Sequence, residues 1–260
     1  MNKNEILKKL QEFNVDESAR FKRNLGISPD MLAKNVVIAP FYKAETFAEV
    51  CGAKVELLFE KYYKTYKISK NGKEFIFINS NMGSGNIAEI VCTLADTNCK
   101  NVYFIGSAGS IDKDIKIGEI VIPETSIIGD GTCRYFAETE DVFGKATKPN
   151  DELFEEVKQT LSKLNIGFKQ TQNFSVDTIT GQFLIMDYIF KTGSNTLEME
   201  TSALFFLANL LGLKAVAIHN ISDNSVASKS LFAGRNEAER EAKRFTQRVT
   251  IPKILAEILL

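Results

Sequence analysis

The chain has 260 residues, and 44% of them are hydrophobic, which is enough for one large α/β domain with a buried core. Lysine and arginine together number 32 and aspartate and glutamate 33, so the formal net charge is only −1. This balance argues against a nucleic-acid or anionic-membrane partner, because either would require a basic field.

The four cysteines, at positions 51, 92, 99 and 133, are scattered along the chain. They show neither CxxC nor histidine-paired spacing, so no zinc site and no disulfide framework is predicted. We therefore expect a reducing, cytoplasmic setting. The first ten residues form a charged amphipathic pattern without the apolar region of a signal peptide, and no apolar run reaches membrane-spanning length.

Residues 1–34 predict a peripheral helical extension that precedes a single domain at 35–260. One or two helices are expected in this extension. Ser28-Pro29-Asp30 is a typical start signal for the second of them.

Short strands and helices alternate in the first part of the domain, which predicts a mixed, mainly parallel sheet. A buried strand at 35–40 leads into a helical pattern at 43–50, and Asn71-Gly72 predicts a hairpin turn. Further strands are predicted at 55–59, 62–68 and 75–79.

A glycine-rich turn at 79–86 follows the last of these strands and precedes a predicted helix at 87–97. Main-chain amides near Gly83 in such a turn can face an anion at the helix N-terminus. The turn lacks the Gly-Lys-Ser/Thr of a Walker loop and the six-residue dinucleotide fingerprint. By itself it is therefore weak evidence for an anion site.

A second and more specific glycine motif lies in residues 101–123. The pattern predicts a buried strand that ends in Gly106-Ser107-Ala108-Gly109, then a loop, then a new strand after Gly118-Glu119.

Three carboxylates flank a hydrophobic helix and strand further along. Glu198 and Glu200 precede a helical pattern that ends at Gly212, a residue suited to a helix C-cap. A buried strand at 213–221 follows, and Asp223 comes after it, where parallel sheets place ligands. We therefore expect Asp223 to approach Glu200. Helix capping and an ordinary turn are the alternative interpretations of these carboxylates.

The motifs in these segments are Gly-Ser-Ala-Gly-Ser-Ile with Ile-Gly-Glu-Ile-Val-Ile-Pro, Glu-Met-Glu-Thr-Ser-Ala and Ile-Ser-Asp. Because of them, the chain resembles the nucleoside phosphorylase superfamily from about Val36 onward. That family includes uridine phosphorylases, hexameric purine nucleoside phosphorylases and methylthioadenosine nucleosidases. The resemblance implies a three-layer α/β/α sandwich with a mixed, mainly parallel central sheet. It also implies a homodimer or hexamer with sites shared between subunits.

The resemblance assigns roles at the sugar and at the leaving group. Glu200 would accept hydrogen bonds from the ribose hydroxyls, with Met199 packed against the sugar and Glu198 beside it. Asp223 matches the aspartate that helps to protonate the departing base in purine-cleaving members. Partial burial would raise the pKa of Asp223 and suit it to that task.

At the base, the resemblance places Phe174 where its ring would stack and Gln182 where it would contact the base. A position in the hydrophobic core is the alternative for Phe174. Uridine phosphorylases carry an arginine two residues after the matching glutamine, and this chain has Leu184 there. A purine is therefore expected over uracil.

At the phosphate, the resemblance points to Lys43, Lys61, Gly83 and Ser107. Other members hold phosphate with arginines, whereas the matching positions here carry Lys43 and Lys61, the latter expected to reach a neighbouring subunit. Phe104 replaces a third arginine. Lysine keeps the positive charge but lacks the bidentate fork of arginine.

The function implied is phosphorolysis of a nucleoside, a purine nucleoside being expected, with inorganic phosphate as co-substrate and with no cofactor and no metal. The products would be free base and ribose 1-phosphate. A phosphate-independent nucleosidase of the methylthioadenosine or adenosylhomocysteine type, a uridine phosphorylase and a non-catalytic nucleoside binder are the alternatives. Glu45, the nearest acid in the first loop, is expected to turn away from the site, which favours phosphorolysis over hydrolysis.

Three further features have simpler interpretations. His219, the only histidine, lies inside an apolar strand and is predicted to be a core residue, with a contact to a ligand or a subunit as the alternative, so no catalytic triad is expected. The loop at 229–235 is long enough to cover a pocket, and Arg235 or Arg240 could orient the aspartate at position 223. Residues 236–245 predict a solvent-facing helix that Pro252 ends or kinks.

Overall fold

The structure of the protein, a computed structural model, describes residues 2–13, 17–95, 97–138 and 141–260. The described helices are α1 (Lys3–Glu12), α2 (Glu17–Asn24), α3 (Glu45–Cys51), α4 (Ser84–Leu94), α5 (Cys133–Phe136), α6 (Asp151–Lys163), α7 (Met186–Lys191), α8 (Thr201–Leu211), α9 (Glu237–Phe245) and α10 (Ile251–Leu259). The described strands are β1 (Asn35–Ile38), β2 (Lys54–Glu60), β3 (Lys64–Lys70), β4 (Lys73–Asn79), β5 (Asn101–Ser110), β6 (Ile120–Gly129), β7 (Ala146–Thr147), β8 (Phe168–Val176), β9 (Thr196–Glu198) and β10 (Lys214–Asn224). A 3₁₀ segment, Gly181–Ile185, precedes α7, and a π-helical turn, Thr246–Thr250, joins α9 to α10.

The strands form one mixed sheet in the order β10-β6-β8-β9-β5-β1-β4-β3-β2, with β7 paired to β6. Its centre is parallel, since β1 pairs with β4 and β5, and β5 pairs with β10. At one edge β2, β3 and β4 form an antiparallel meander that contains the predicted hairpin turn. Because β10 pairs with both β5 and β6, the strands β5, β9, β8, β6 and β10 close on one another.

Helices cover both faces of this sheet. Along β1, Val36 and Ile38 belong to one buried hydrophobic cluster and Val37 belongs to another. The same alternation continues along β5 and β10, as expected for strands that are covered on both sides. Side chains of α4 and α8 join the first cluster, and side chains of α3, α6 and α10 join the second. The predicted three-layer α/β/α sandwich is confirmed.

The N-terminal helices α1 and α2 pack on the first of these layers. Ile6 and Phe21 are buried in the same cluster as the core strands, and Asn24 Nδ2 donates a 3.0 Å hydrogen bond to Thr93 Oγ1 of α4. The helix start predicted at Ser28-Pro29-Asp30 is wrong. Only a single 3₁₀ turn forms there, because the chain becomes extended again at residue 32 before it enters β1.

The strand that carries the aspartate runs further than the sequence predicts. β5 ends at Ser110, directly after the predicted glycine motif, whereas β10 continues through Asp223, which was expected to follow the strand. The strands stay paired over this stretch, and Gly109 lies opposite Asp223. A Cβ atom at Gly109 would lie 3.2 Å from Asp223 Oδ2, so the glycine makes room for the carboxylate.

The helix ends near the C-terminus follow the predicted signals. α8 ends at Gly212, whose φ of 74° is the left-handed conformation of a C-cap glycine. Pro252 lies in the first turn of α10, where proline is tolerated, and so separates the last two helices. Among the described residues, no helix combines the length and the apolar character needed to span a membrane.

Candidate functional site

A cavity of about 260 Å³ lies at the carboxyl ends of β5 and β10, beside β9 and the start of α8. Its volume is close to the lower limit of the roughly 300–1,000 Å³ that is typical of small-molecule sites. Six residues singled out in the sequence border it: Ser107, Gln182, Glu198, Met199, Glu200 and Asp223.

Glu200 is buried at the N-cap position of α8, in the wall of the cavity. The amide of Gly83 donates a hydrogen bond of 2.6 Å to its Oε1, and the amide of Met199 donates one of 3.2 Å to its Oε2. The carboxyl group is therefore held at both oxygens. Since each oxygen has two acceptor positions, both can still accept a hydrogen bond from a ligand hydroxyl.

Burial raises the pKa of Glu200 to about 8, and the neighbouring carboxylate of Glu198 acts in the same direction. The two amide donors lower the pKa, but they do not cancel the effect of burial.

Glu198 also borders the cavity, but the fold uses its carboxylate. Its Oε2 accepts hydrogen bonds of 2.7 Å from the amides of Glu200 and Thr201 in the first turn of α8. Its Oε1 accepts one of 2.6 Å from Asn173 Nδ2 and one from Ser175 Oγ. These four donors occupy both oxygens, so the structure favours the capping interpretation of Glu198 over the expected contact with a sugar.

Asp223 is buried in β10 and lines the same cavity as Glu200. Ser222 Oγ donates a hydrogen bond of 2.6 Å to its Oδ1. Burial raises the pKa of Asp223, although this hydrogen bond and the positive charges of Arg235 and Lys243 act in the opposite direction. The structure thus brings two carboxyl groups with raised pKa to one cavity.

The loop at 229–235 contributes Leu231 to the cavity lining. Arg235 donates hydrogen bonds of 3.1 Å to the carbonyl of Ser222 and 2.7 Å to the carbonyl of Leu231. Its guanidinium group therefore joins the loop to β10 and does not bond to the carboxylate of Asp223. Arg240, the other residue expected to orient that carboxylate, makes its ion pair within α9.

Sequence reasoning missed a hydrogen-bonded group beneath Ser107. Ser107 Oγ donates a 2.8 Å hydrogen bond to Asn220 Oδ1. The hydroxyl of Tyr42 lies 3.0 Å from the same oxygen and 2.9 Å from the carbonyl of Gly106. The sequence feature that could have indicated this group is Asn220, a polar residue within an apolar strand. Since the proton of Ser107 is used by Asn220, the serine presents an acceptor to a ligand in this arrangement.

The expected base contacts divide between the cavity and the core. Gln182 and Met199 line the cavity. The stacking role predicted for Phe174 is wrong, because its side chain is fully buried in a separate hydrophobic cluster. Its ring packs edge-on against Phe143 and Tyr188, with centroid separations of 6.1 Å in both pairs.

The predicted phosphate ligands are dispersed. Lys43 lines a neighbouring recess instead of the cavity, and the amide of Gly83 already donates to Glu200. Lys61 is exposed in the turn between β2 and β3, so its contact with a neighbouring subunit stays a prediction. Lys243 is the one cation among the described residues that line the cavity. The described part of the chain contains no group of three or more metal-ligating side chains.

Phe104 and His219 are buried against each other beneath the glycine motif, with ring centroids 5.6 Å apart. His219 Nε2 lies 3.0 Å from Thr201 Oγ1, while Nδ1 has no hydrogen-bond partner among the described residues. Burial lowers the pKa of His219, so the ring is neutral. His219 is thus a core residue, as predicted, although only one of its nitrogens is satisfied.

The chain is similar to known proteins over most of its length. The phosphorylase superfamily model matches residues 36–253. A purine nucleoside phosphorylase of the DeoD type from Anoxybacillus flavithermus is 26% identical over 197 residues, which cover 74% of this chain and 80% of that protein. A uridine phosphorylase from Thermococcus kodakarensis is 24% identical over 212 residues, or 78% of this chain and 74% of that protein. The named activities of both relatives are pentosyl transfers.

Among solved structures, the uridine phosphorylase from Vibrio fischeri has the same fold. It superposes with a TM-score of 0.75 at 19% sequence identity, covering 90% of this chain and 94% of that chain.

Proposed function

The chain belongs to the phosphorylase superfamily, and we propose that it cleaves the N-glycosidic bond of a purine nucleoside with inorganic phosphate. The products would be free base and ribose 1-phosphate. One observation carries the proposal: Glu200 and Asp223, both buried and both with raised pKa, line a single cavity. One carboxyl group can hold the sugar while the other supplies a proton to the base.

In the proposed reaction, an oxygen of phosphate forms a bond to C1′ of the ribose as the bond from C1′ to the base nitrogen breaks. The electron pair of the broken bond passes to the base, and a proton from Asp223 neutralises it. The sugar carries positive charge in the transition state, so the carboxylate form of Glu200 stabilises it through the ribose hydroxyls. Solvent then returns a proton to Asp223.

The burial of Asp223 supports a purine as the base. Purines offer a ring nitrogen that can accept a proton as the glycosidic bond breaks, and an aspartate with a raised pKa is suited to donate it. Gln182 lines the cavity without an arginine two residues later, which does not favour a uracil site.

Hydrolysis is the second candidate, because the cavity is poor in cations. Lys243 is the one cation among its described lining residues, and Phe104, at the position where an arginine was expected, is buried in the core. Water could take the place of phosphate in such a site. Phosphorolysis remains the proposal because the named relatives are phosphorylases.

We further propose that the protein acts as a homodimer or a hexamer in the cytoplasm. Exposed apolar side chains on the 3₁₀ segment and α7 support an interface between subunits: Phe183, Leu184, Ile185, Tyr188 and Phe190. The four cysteines are free, which fits a reducing compartment.

The test is to incubate the protein with inosine, adenosine, uridine and methylthioadenosine, each with and without phosphate, and to follow base release. Phosphate-dependent release from a purine nucleoside is the expected result. Release without phosphate would support the hydrolytic candidate. Release from uridine alone would overturn the purine assignment, and no release from any nucleoside would favour a binding protein.

A further inference from the structure

The loop between β6 and α5 contacts both segments whose hydrogen bond holds Glu200. We call its residues 130–132 the β6 loop. One of the two segments is the glycine-rich turn, where the amide of Gly83 donates to Glu200, and the other is the start of α8, where Glu200 lies. None of the β6-loop residues lines the cavity. The loop can therefore influence the site only through these two segments.

Asp130 connects the β6 loop to α8. Its side chain is buried, and the hydroxyl of Ser202, two residues after Glu200, donates a 2.5 Å hydrogen bond to its Oδ2. The amides of Thr132 and Cys133 donate hydrogen bonds of 2.9 and 3.0 Å to its Oδ1. One carboxylate thus fixes the conformation of the loop and its position against the first turn of α8.

Thr132 connects the same loop to the glycine-rich turn. Its Oγ1 lies 2.7 Å from the Oγ of Ser84, a buried residue that directly follows Gly83. Ser84 Oγ uses its one proton to donate to Oδ1 of Asp177 at 3.2 Å, so Thr132 is the donor to Ser84. Oδ2 of Asp177 accepts a 2.8 Å hydrogen bond from the amide of Gly131, which joins the turn to the loop a second time.

The direction of the Gly83 amide depends on these contacts. Gly83 has a φ of 102°, and no side chain caps the start of α4 at this position. A glycine has more backbone freedom than any other residue, so its neighbours must restrict it. The hydrogen bonds of Ser84 provide that restriction one residue away from the amide that donates to Glu200.

We propose that Asp130 and Thr132 are positioning residues for Glu200. Asp130 holds the segment that carries the carboxyl group, and Thr132 holds the segment that carries its donor. The β6 loop therefore keeps the donor and the acceptor of the Gly83–Glu200 hydrogen bond at a fixed separation. The binding of ribose hydroxyls by Glu200 belongs to the proposed function, and the effect of the loop on catalysis rests on it.

The experiment compares variants of the full chain. Thr132→Val removes the hydroxyl and keeps the shape of the side chain, whereas Thr132→Ser keeps the hydroxyl. Asp130→Asn is the second test variant, because an amide group replaces the oxygen that accepts from Ser202. Thr160→Val is the matched control, since the hydroxyl of Thr160 donates to a carbonyl within α6 and Thr160 does not line the cavity.

The first measurement is the NMR shift of the Gly83 amide proton without substrate. The shift in Glu200→Ala defines an amide that has lost its acceptor. Thr132→Val and Asp130→Asn should each move the shift from the wild-type value toward that reference, because the hydrogen bond is weakened. Thr132→Ser and Thr160→Val should keep the wild-type value. The amide of Ile105, in the middle of β5, should keep its shift in every variant, which separates a local change from a general one.

The second measurement is kcat/KM for inosine and for 2′,3′-dideoxyinosine, both with phosphate. Thr132→Val and Asp130→Asn should lower kcat/KM about tenfold for inosine only, because the dideoxy compound lacks the hydroxyls that Glu200 binds. Thr132→Ser should restore the wild-type value. An unchanged Gly83 shift in Thr132→Val, or an equal loss with both nucleosides, would overturn the proposal. If the wild type cleaves neither nucleoside, the proposed function fails, and the Gly83 shift alone decides whether the loop positions Glu200.

Discussion

The main-chain amide of Gly83 donates a hydrogen bond of 2.6 Å to Oε1 of Glu200. This contact joins the glycine-rich turn before α4 to the carboxyl group at the start of α8. The amide of Gly83 was expected to donate a hydrogen bond to phosphate, but it already donates to Glu200. Glu200 is fixed in the wall of the cavity that Asp223 also lines, so its orientation does not depend on a ligand.

Replacing Asp223 with asparagine should lower kcat for a purine nucleoside by about 10²–10⁴-fold, because asparagine keeps the shape but cannot donate the proton. The rate of the wild type should also fall as pH rises through the raised pKa of Asp223, and the variant should lose this dependence. Steady-state kinetics of base release across a pH series measures both effects.

Asp30→Asn is the matched control, since Asp30 is exposed in the 3₁₀ turn and is not among the described residues that line the cavity. It should behave like the wild type. An Asp223→Asn protein that keeps the wild-type rate and pH profile would show that another group protonates the base.

Replacing Glu200 with glutamine should change how stability depends on pH. The pKa of Glu200 rises from 4.5 to about 8 on folding, so between these values the folded state holds a proton that the unfolded chain has lost. The stability that Glu200 contributes is complete below pH 4.5 and is lost as pH rises through 8. Wild-type stability should therefore fall relative to Glu200→Gln, by at most about 1.4 kcal/mol per pH unit in this window.

Melting temperatures of both proteins from pH 5 to pH 9 test this difference, and groups that titrate equally in both cancel. Glu49→Gln, at an exposed position on α3, is the control and should run parallel to the wild type. A constant difference between the wild type and Glu200→Gln across the series would contradict the raised pKa.

Replacing Glu198 with alanine should destabilise the protein more than it alters substrate binding. The change would remove the acceptor of two main-chain amides, of the Ser175 hydroxyl and of one proton of the Asn173 amide group, which also donates to Ser126 Oγ. Each unsatisfied buried donor costs about 1–3 kcal/mol, so a total loss of at least about 3 kcal/mol in the free energy of unfolding is expected. Urea denaturation measures it. A variant of wild-type stability with a raised KM would instead indicate a sugar contact.

Replacing Phe104 with arginine should not create a phosphate site, although the resemblance places an arginine there. The side chain is fully buried and packs against His219, so an arginine would bring an unpaired charge into the core. We expect a loss of several kcal/mol of stability or no folded protein. Phe104→Leu should cost less than about 1.5 kcal/mol. A stable arginine variant with a lower KM for phosphate would contradict this reading.

Sequence alone could place much of the site, because its chemical groups occur in short local motifs. Glu200 precedes a helix with a clear glycine C-cap, and Asp223 lies near the end of a strand whose apolar run is unmistakable. The partner of each oxygen could not be predicted, since Gly83 reaches Glu200 across 117 positions of the chain.

The direction in which side chains point was the second feature that could not be predicted from the sequence. Polar and apolar residues alternate from Asn173 to Val176, but this end of β8 is buried on both faces, so the alternation did not indicate whether Phe174 would face the cavity or the core. The charges on α9 predict an exposed helix, which the structure confirms, but only the fold brings Lys43 and Arg235 into the recess that this helix also lines.

The most direct test of the account is phosphorus NMR of the wild type and of Asp223→Asn, each with inosine and phosphate. The account predicts a sugar 1-phosphate resonance that grows at the rate of hypoxanthine release, disappears when phosphate is omitted, and grows about 10²–10⁴-fold more slowly in the variant. Free base without the sugar phosphate, or a resonance that grows equally fast in both proteins, would contradict it.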